Sequence, residues 1–128
     1  RNPLYCTAIG KVLLAWLDEQ AIRDILAPVA FEQKTAHTLS GIDALLAELA
    51  TVRDSGFSED REEQEVGVRC VAVPVYDRFG YVMAGLSISF PTIRFDEQQL
   101  AHYVTMLHQA AANISQQLGL ARYPYPAI

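Results

Sequence analysis

Two serines and a cysteine are the residues whose types and spacing best suit chemistry in this sequence. Cys70, Ser87 and Ser89 stand in two runs rich in Val, Ile, Tyr and Phe, residues 65–76 and 81–90, with Asp77 to Gly80 carrying turn chemistry between them. Folding these runs about a four-residue turn sets position 76 against 81. Val68 then faces Ser89, Cys70 faces Ser87 and Ala72 faces Gly85, all on one side of the hairpin. The other side carries Val71 with Leu86, Val73 with Ala84 and Val75 with Val82, branched residues suited to packing under a helix. The small, weakly polar side cannot fill space as a core does, so either a helix backbone approaches closely there or a ligand occupies it. An apolar wall with a few convergent hydroxyls is the usual composition of a small-molecule site.

Other chemistry finds little support in the residues. Gly10 and Lys11 resemble the end of a phosphate loop, but its first glycine is missing and Val12 replaces the Ser or Thr that should follow. His37, His102 and His108 lack metal spacing, 102 and 108 falling about 120° apart on a helix. Cys6 and Cys70 form no CxxC pair, and in a chain of this size two thiols are expected to be reduced. No GxSxG motif is present, and Arg69 points away from Cys70 on an extended strand, so no base activates that thiol. Neither a metal nor a cofactor is expected. The carboxylates Glu59, Asp60, Glu62, Glu63 and Glu65 read as a solvated charge run. Asp60 alone is a candidate to accept hydrogen bonds from a ligand's hydroxyls.

Helices must hold this hairpin. Thr7 is a plausible N-cap for a helix carrying Val12, Leu13, Trp16 and Leu17, and Asp18 opens a second with Ile22, Ile25 and Leu26, ended by Pro28. Ser40 precedes the stripe Ile42, Leu45, Leu46, Leu49 and Val52, closed by Gly56. Asp96 is expected to cap a long helix from Leu100 to Leu118, ended by Gly119, and residues 123–126 read as an extended, loosely held tail.

The 128 residues are 51% hydrophobic and 20% charged, which suits one globular domain of α/β (α+β) class. A net charge of −5 argues against this segment gripping a phosphate backbone. No run spans a bilayer and no signal peptide opens the chain, so no membrane partner and an intracellular, cytoplasmic setting are expected. Because the chain opens on Arg1 and enters a helix within about ten positions, it is expected to be part of a longer protein.

The runs 7–15 (TAIGKVLLA), 53–57 (RDSGF), 60–63 (DREE), 67–75 (GVRCVAVPV) and 86–89 (LSIS) resemble, in order, the C-terminal effector-binding domain of IclR-type bacterial transcription regulators. The runs 3–11 (PLYCTAIGK) and 85–91 (GLSISFP) look closer still to a family member that responds to 2-keto-3-deoxygluconate. The resemblance implies a GAF-like fold over 1–128, with an antiparallel sheet flanked by helices. A winged helix-turn-helix that grips DNA, and the first strands of the sensing domain, would lie outside this chain. It further implies a small organic-acid effector bound by Ala8, Ile9, Asp60, Val68, Cys70, Ser87 and Ser89, control of operator binding, a homodimer or homotetramer, and no catalysis. In this picture the serine hydroxyls and the amides near Ala8 and Ile9 donate to the acid, with no basic side chain on the hairpin's inner face. Two competing readings are a GAF-like thiol enzyme with Cys70 as nucleophile, and a ligand-free oligomerisation module that dimerises through the last helix.

Overall fold

The computed structural model describes residues 3–125. Four helices, α1 (Ala8–Ala15), α2 (Glu19–Leu26), α3 (Ile42–Ser55) and α4 (Leu100–Gln117), accompany three strands, β1 (Ser58–Arg61), β2 (Val68–Tyr76) and β3 (Val82–Pro91). The strands form one antiparallel sheet in the order β1-β2-β3, so the fold is α+β with helices on both faces of the sheet, as expected.

Local chemistry sets the helix ends. The Thr7 hydroxyl accepts from the amide of Gly10 at 3.1 Å, and Asp18 accepts from the amide of Ala21 at 2.8 Å, each satisfying an orphan donor of a first turn. Gly56, at φ 84°, closes α3 in the left-handed conformation that glycine adopts without cost. Two expected caps differ. Gly41 rather than Ser40 precedes α3, with no side-chain cap, and Asp96 caps a 3-10 turn (Glu97–Gln99) that leads into α4.

The two sheet faces carry different loads. Val71, Val73 and Val75 pack with Leu107 and Ala111 of α4, and full burial of such a valine contributes about 1.5–3 kcal/mol. On the opposite face Ala8 and Val12 of α1 cover Ala72, while α1 also joins a second core with Leu45, Leu49 and Val52 of α3 through Leu14 and Ala15. At Gly85 an added Cβ would stand 3.3 Å from Ile9 Cγ2, so the small residue there admits α1.

The hairpin register departs from the expected one by two residues. Asp77 and Tyr81 close the turn, with Gly80 at φ 85°, which shifts the pairing by one; Met83 then has no partner between Tyr76↔Val82 and Val75↔Ala84, which shifts it by another. Cys70 therefore faces Ser89 rather than Ser87, Ala72 faces Ser87 rather than Gly85, and Val68 faces Pro91 rather than Ser89. One slip alone would have exchanged the faces, and two restore them.

Beyond β1 the edge of β2 is satisfied by α4 and the tail. Ser115 Oγ accepts from the amide of Tyr76 at 3.0 Å, and the Tyr123 hydroxyl donates to the carbonyl of Pro74 at 2.7 Å. A proline is tolerated in this strand because β1 pairs with β2 only as far as Ala72. The tail is thus held, contrary to the expectation for 123–125: Tyr123 is buried and Tyr125 stacks on His108 at 5.0 Å. Pro126, also placed in that tail, lies outside the described residues.

His108 is buried between these tyrosines with Nε2 2.8 Å from the carbonyl oxygen of Gly56. Burial pushes its pKa below the ordinary 6.5, the Gly56 bond acting the other way. The unfolded chain binds this proton at a higher pH than the folded one, so the contribution to stability is present above about pH 6.5 and is lost as pH falls toward the folded value. His108→Gln keeps a side-chain N–H donor without the titration. Its denaturation midpoint should fall less than that of the unaltered protein between about pH 7.5 and about pH 5. Equal falls would refute this role for His108.

Candidate functional site

The face under α1 forms rows that cross all three strands. Asp60 of β1 stands against Cys70, which stands against Ser89; Ser58 stands against Ala72, which stands against Ser87. The strand β1 was not foreseen, because its sequence, Ser-Glu-Asp-Arg, reads as part of a charged loop. The acidic run is correspondingly less solvated than expected. Asp60 is 3% exposed and Glu63 is 4% exposed, while Glu65 is exposed as the run suggested.

Asp60 ends up buried because it organises the turn after β1. Its Oδ1 accepts from the amide of Glu63 at 2.8 Å and from that of Gln64 at 3.4 Å. The connector between α2 and α3 holds the same turn from outside, Thr35 and Thr38 each donating a hydroxyl at 2.6 Å to the carbonyls of Glu62 and Glu63. Burial raises the Asp60 pKa above the usual carboxylate value, opposed by those two amides and by the charge of Lys11.

Lys11 and Gly10, which matched no motif, each have a structural task. The Lys11 ammonium is fully buried and donates to both oxygens of Glu63, at 2.7 and 2.8 Å, to the carbonyl of Glu59 at 2.8 Å and to Glu48. It therefore ties α1 to α3 and to the turn after β1. At Gly10 a Cβ would lie 2.4 Å from the carbonyl oxygen of Leu4, so only glycine lets the preceding segment cross the helix start.

One cavity of about 420 Å³ is lined by all seven residues singled out in the sequence, Ala8, Ile9, Asp60, Val68, Cys70, Ser87 and Ser89. Six more complete it, Leu4, Thr7, Gly10, Leu13, Gln64 and Glu65. These six were missed because three belong to the helix start and its approach, one, Leu13, to the next turn of α1, and two to a turn whose course depends on Asp60. Its size falls within the roughly 300–1,000 Å³ typical of small-molecule sites. A second cavity, of about 450 Å³, lies between α3 and β1 and contains none of the seven. Its charged groups are already paired, Glu48 with Lys11 and Glu59 with Arg61 and Arg69.

The first cavity offers neutral donors and no basic side chain. Thr7 satisfies the amide of Gly10, and Lys11 N–H bonds the carbonyl of Thr7, which leaves the amides of Ala8 and Ile9 as the donors at the start of α1. The positive end of the helix dipole lies there as well. Ser58 donates to the carbonyl of Ala8 at 2.5 Å and fixes that turn against the sheet. Cys70 Sγ and Ser89 Oγ lie 3.1 Å apart, whereas the Ser87 hydroxyl has no hydrogen-bond partner among the described residues. Burial raises the pKa of the Cys70 thiol, the Ser89 bond opposing and the Asp60 charge reinforcing it. A thiol so placed stays protonated at neutral pH and is a poor nucleophile.

Among the described residues no helix is long and apolar enough to cross a membrane, and no group of three or more His, Cys, Asp or Glu could hold a metal ion. Residues 1–116 match the family model of the bacterial transcriptional regulator IclR C-terminal domain. Over 125 residues the chain is 58% identical to the HTH-type transcriptional regulator KdgR of Dickeya chrysanthemi, covering 98% of this chain and 41% of that protein. The chain thus spans less than half the length of that relative. The crystal structure of the C-terminal domain of E. coli KdgR matches with a TM-score of 0.89 and 59% identity, covering 93% of this chain and 73% of that one. A double mutant of the PobR inducer-binding domain from Acinetobacter, in complex with 3-hydroxybenzoic acid, matches with a TM-score of 0.81 and 33% identity, covering 88% and 65%. The chain belongs to the C-terminal domain family of bacterial IclR transcriptional regulators, a family of regulators rather than enzymes.

Proposed function

We propose that this chain is the effector-sensing domain of a cytoplasmic repressor, and that its 420 Å³ cavity takes a small hydroxylated keto-acid such as 2-keto-3-deoxygluconate. The observation that carries this reading is that Ala8 and Ile9 at the start of α1, Ser87 and Ser89 of β3 and Asp60 of β1 all line one cavity. The acid's carboxylate would lie at the start of α1, where amides and dipole favour an anion, and its hydroxyls would donate to Asp60. The PobR domain's complex with a hydroxylated acid supports the same class of ligand.

DNA would be gripped by a winged helix-turn-helix elsewhere in the longer protein, in keeping with this segment's net charge of −5. Effector binding changes operator affinity only if the two states of the regulator bind the effector differently. The regulator would act as a homodimer or homotetramer, and the exposed side chains of Met106 and Ile114 on α4 and of Leu118 just after it are apolar surface that such an assembly could cover.

Replacing Ser87 and Ser89 together by alanine removes two neutral donors from the wall. The affinity for 2-keto-3-deoxygluconate should fall by about 10- to 100-fold, at roughly 1 kcal/mol per hydrogen bond and more for one to a charged group. Calorimetric titration of both proteins measures this, and unchanged affinity would remove the serines from the site.

A further inference from the structure

An acid held without a basic side chain needs every neutral donor that the cavity can supply, and one further side chain on its wall carries such a donor. Gln64 lines the cavity from the turn after β1. Its carboxamide oxygen accepts from the thiol of Cys6 at 3.0 Å, and Cys6 is fully buried in the segment leading into α1. Burial, reinforced by the charge of Asp60, pushes that thiol up to about 11, so it carries its proton at neutral pH and is able to donate it to the carboxamide oxygen. The oxygen faces Cys6 and the NH₂ group is the other end, without a hydrogen-bond partner among the described residues. The backbone is held too, by the Gln64 amide on Asp60 Oδ1 at 3.4 Å and by Thr38 on the preceding carbonyl at 2.6 Å.

We infer that Gln64, oriented by the buried thiol of Cys6, is a further effector-binding residue that donates its NH₂ group to an anionic or keto oxygen of the acid. The inference rests on the effector reading above. Cys6 touches no ligand in this scheme and is a positioning residue.

Calorimetric titration of the full-length protein with 2-keto-3-deoxygluconate tests it, with thermal midpoints recorded for every variant. Gln64→Leu removes the donor and should weaken binding about 5- to 10-fold. Gln64→Glu still accepts from Cys6, so the fold is kept, but it sets a carboxylate where the NH₂ group stood and should weaken binding more than about 30-fold. Cys6→Ala should lose about 3- to 10-fold, and Cys6→Ser, which keeps a donor, should stay within about threefold of the unaltered protein. Gln64→Leu and Gln64→Glu binding as tightly as the unaltered protein would overturn the inference while leaving the effector reading in place. A loss in Cys6→Ser as large as in Cys6→Ala would overturn the orienting role of the thiol. No binding by the unaltered protein would overturn both the inference and the reading beneath it.

Discussion

Lys11→Ala is expected to destabilise the folded chain by about 3–5 kcal/mol, the usual cost of stripping one partner from a buried ion pair. The Lys11 side chain is 0% exposed, against 6% for Glu63 and 27% for Glu48, so its loss strands a buried carboxylate that water cannot reach. Burial already raises the Glu63 pKa, with the Lys11 charge the largest influence opposing it. Without that charge the carboxyl should bind a proton more readily still, and the deficit should shrink as pH is lowered toward about 5. Urea denaturation measures the effect. The pair Lys11→Met with Glu63→Leu should recover much of the loss, because together the two changes remove both members of the buried pair. A Lys11→Ala protein within about 1 kcal/mol of the unaltered one would show that the cluster is not the clamp described. Since Glu63 sits between Asp60 and Gln64, both on the cavity wall, the same variant should also bind the acid more weakly.

Gly10→Ala is the second large effect, of about 3 kcal/mol, at the upper end of what overpacking costs. The added Cβ would meet the Leu4 carbonyl oxygen at 2.4 Å and the Leu4 Cα at 2.6 Å, both backbone atoms that cannot swing aside as a side chain would. Either the segment before α1 shifts or the helix start does, and both Leu4 and Thr7 line the cavity. Binding of the acid should therefore fall together with stability. Alanine at Gly41, where an added Cβ meets nothing within 4 Å, is the matched control and should cost little. Equal costs at the two positions, read from urea midpoints, would contradict the close approach.

The sequence made the sheet face legible through the side-chain period of two, and that is why a register error of two residues left Cys70, Ser87 and Ser89 on the correct side. The bulge at Met83 was not legible, because an unpaired residue in a ladder leaves no mark in an apolar run. Helices α1 and α2 were readable from Thr7 and Asp18, whose side chains do cap them. The strand β1 was hidden by its charge. Its carboxylates, Glu59 and Asp60, are taken up by Arg61 in the strand itself, by Arg69 of β2 and by the amides of Glu63 and Gln64 in the turn between them. Long-range pairing hid the task of Lys11, which the sequence presents only as a failed phosphate loop. The family resemblance supplied Ala8 and Ile9 and joined them, with Asp60, to the hairpin, which periodicity alone could not have done. Gln64 could have been noticed as the one polar uncharged residue within the acidic run 59–65.

Calorimetric titration of the unaltered protein with 2-keto-3-deoxygluconate tests the central claim, that the cavity beside Ser87 and Ser89 holds a small organic acid, most directly. The expected result is saturable heat with a one-to-one endpoint, and a rise in stability approaching about 2.7 kcal/mol when the ligand stands a hundredfold above its Kd. Absence of both heat and any change in the melting midpoint up to about 10 mM ligand would contradict it.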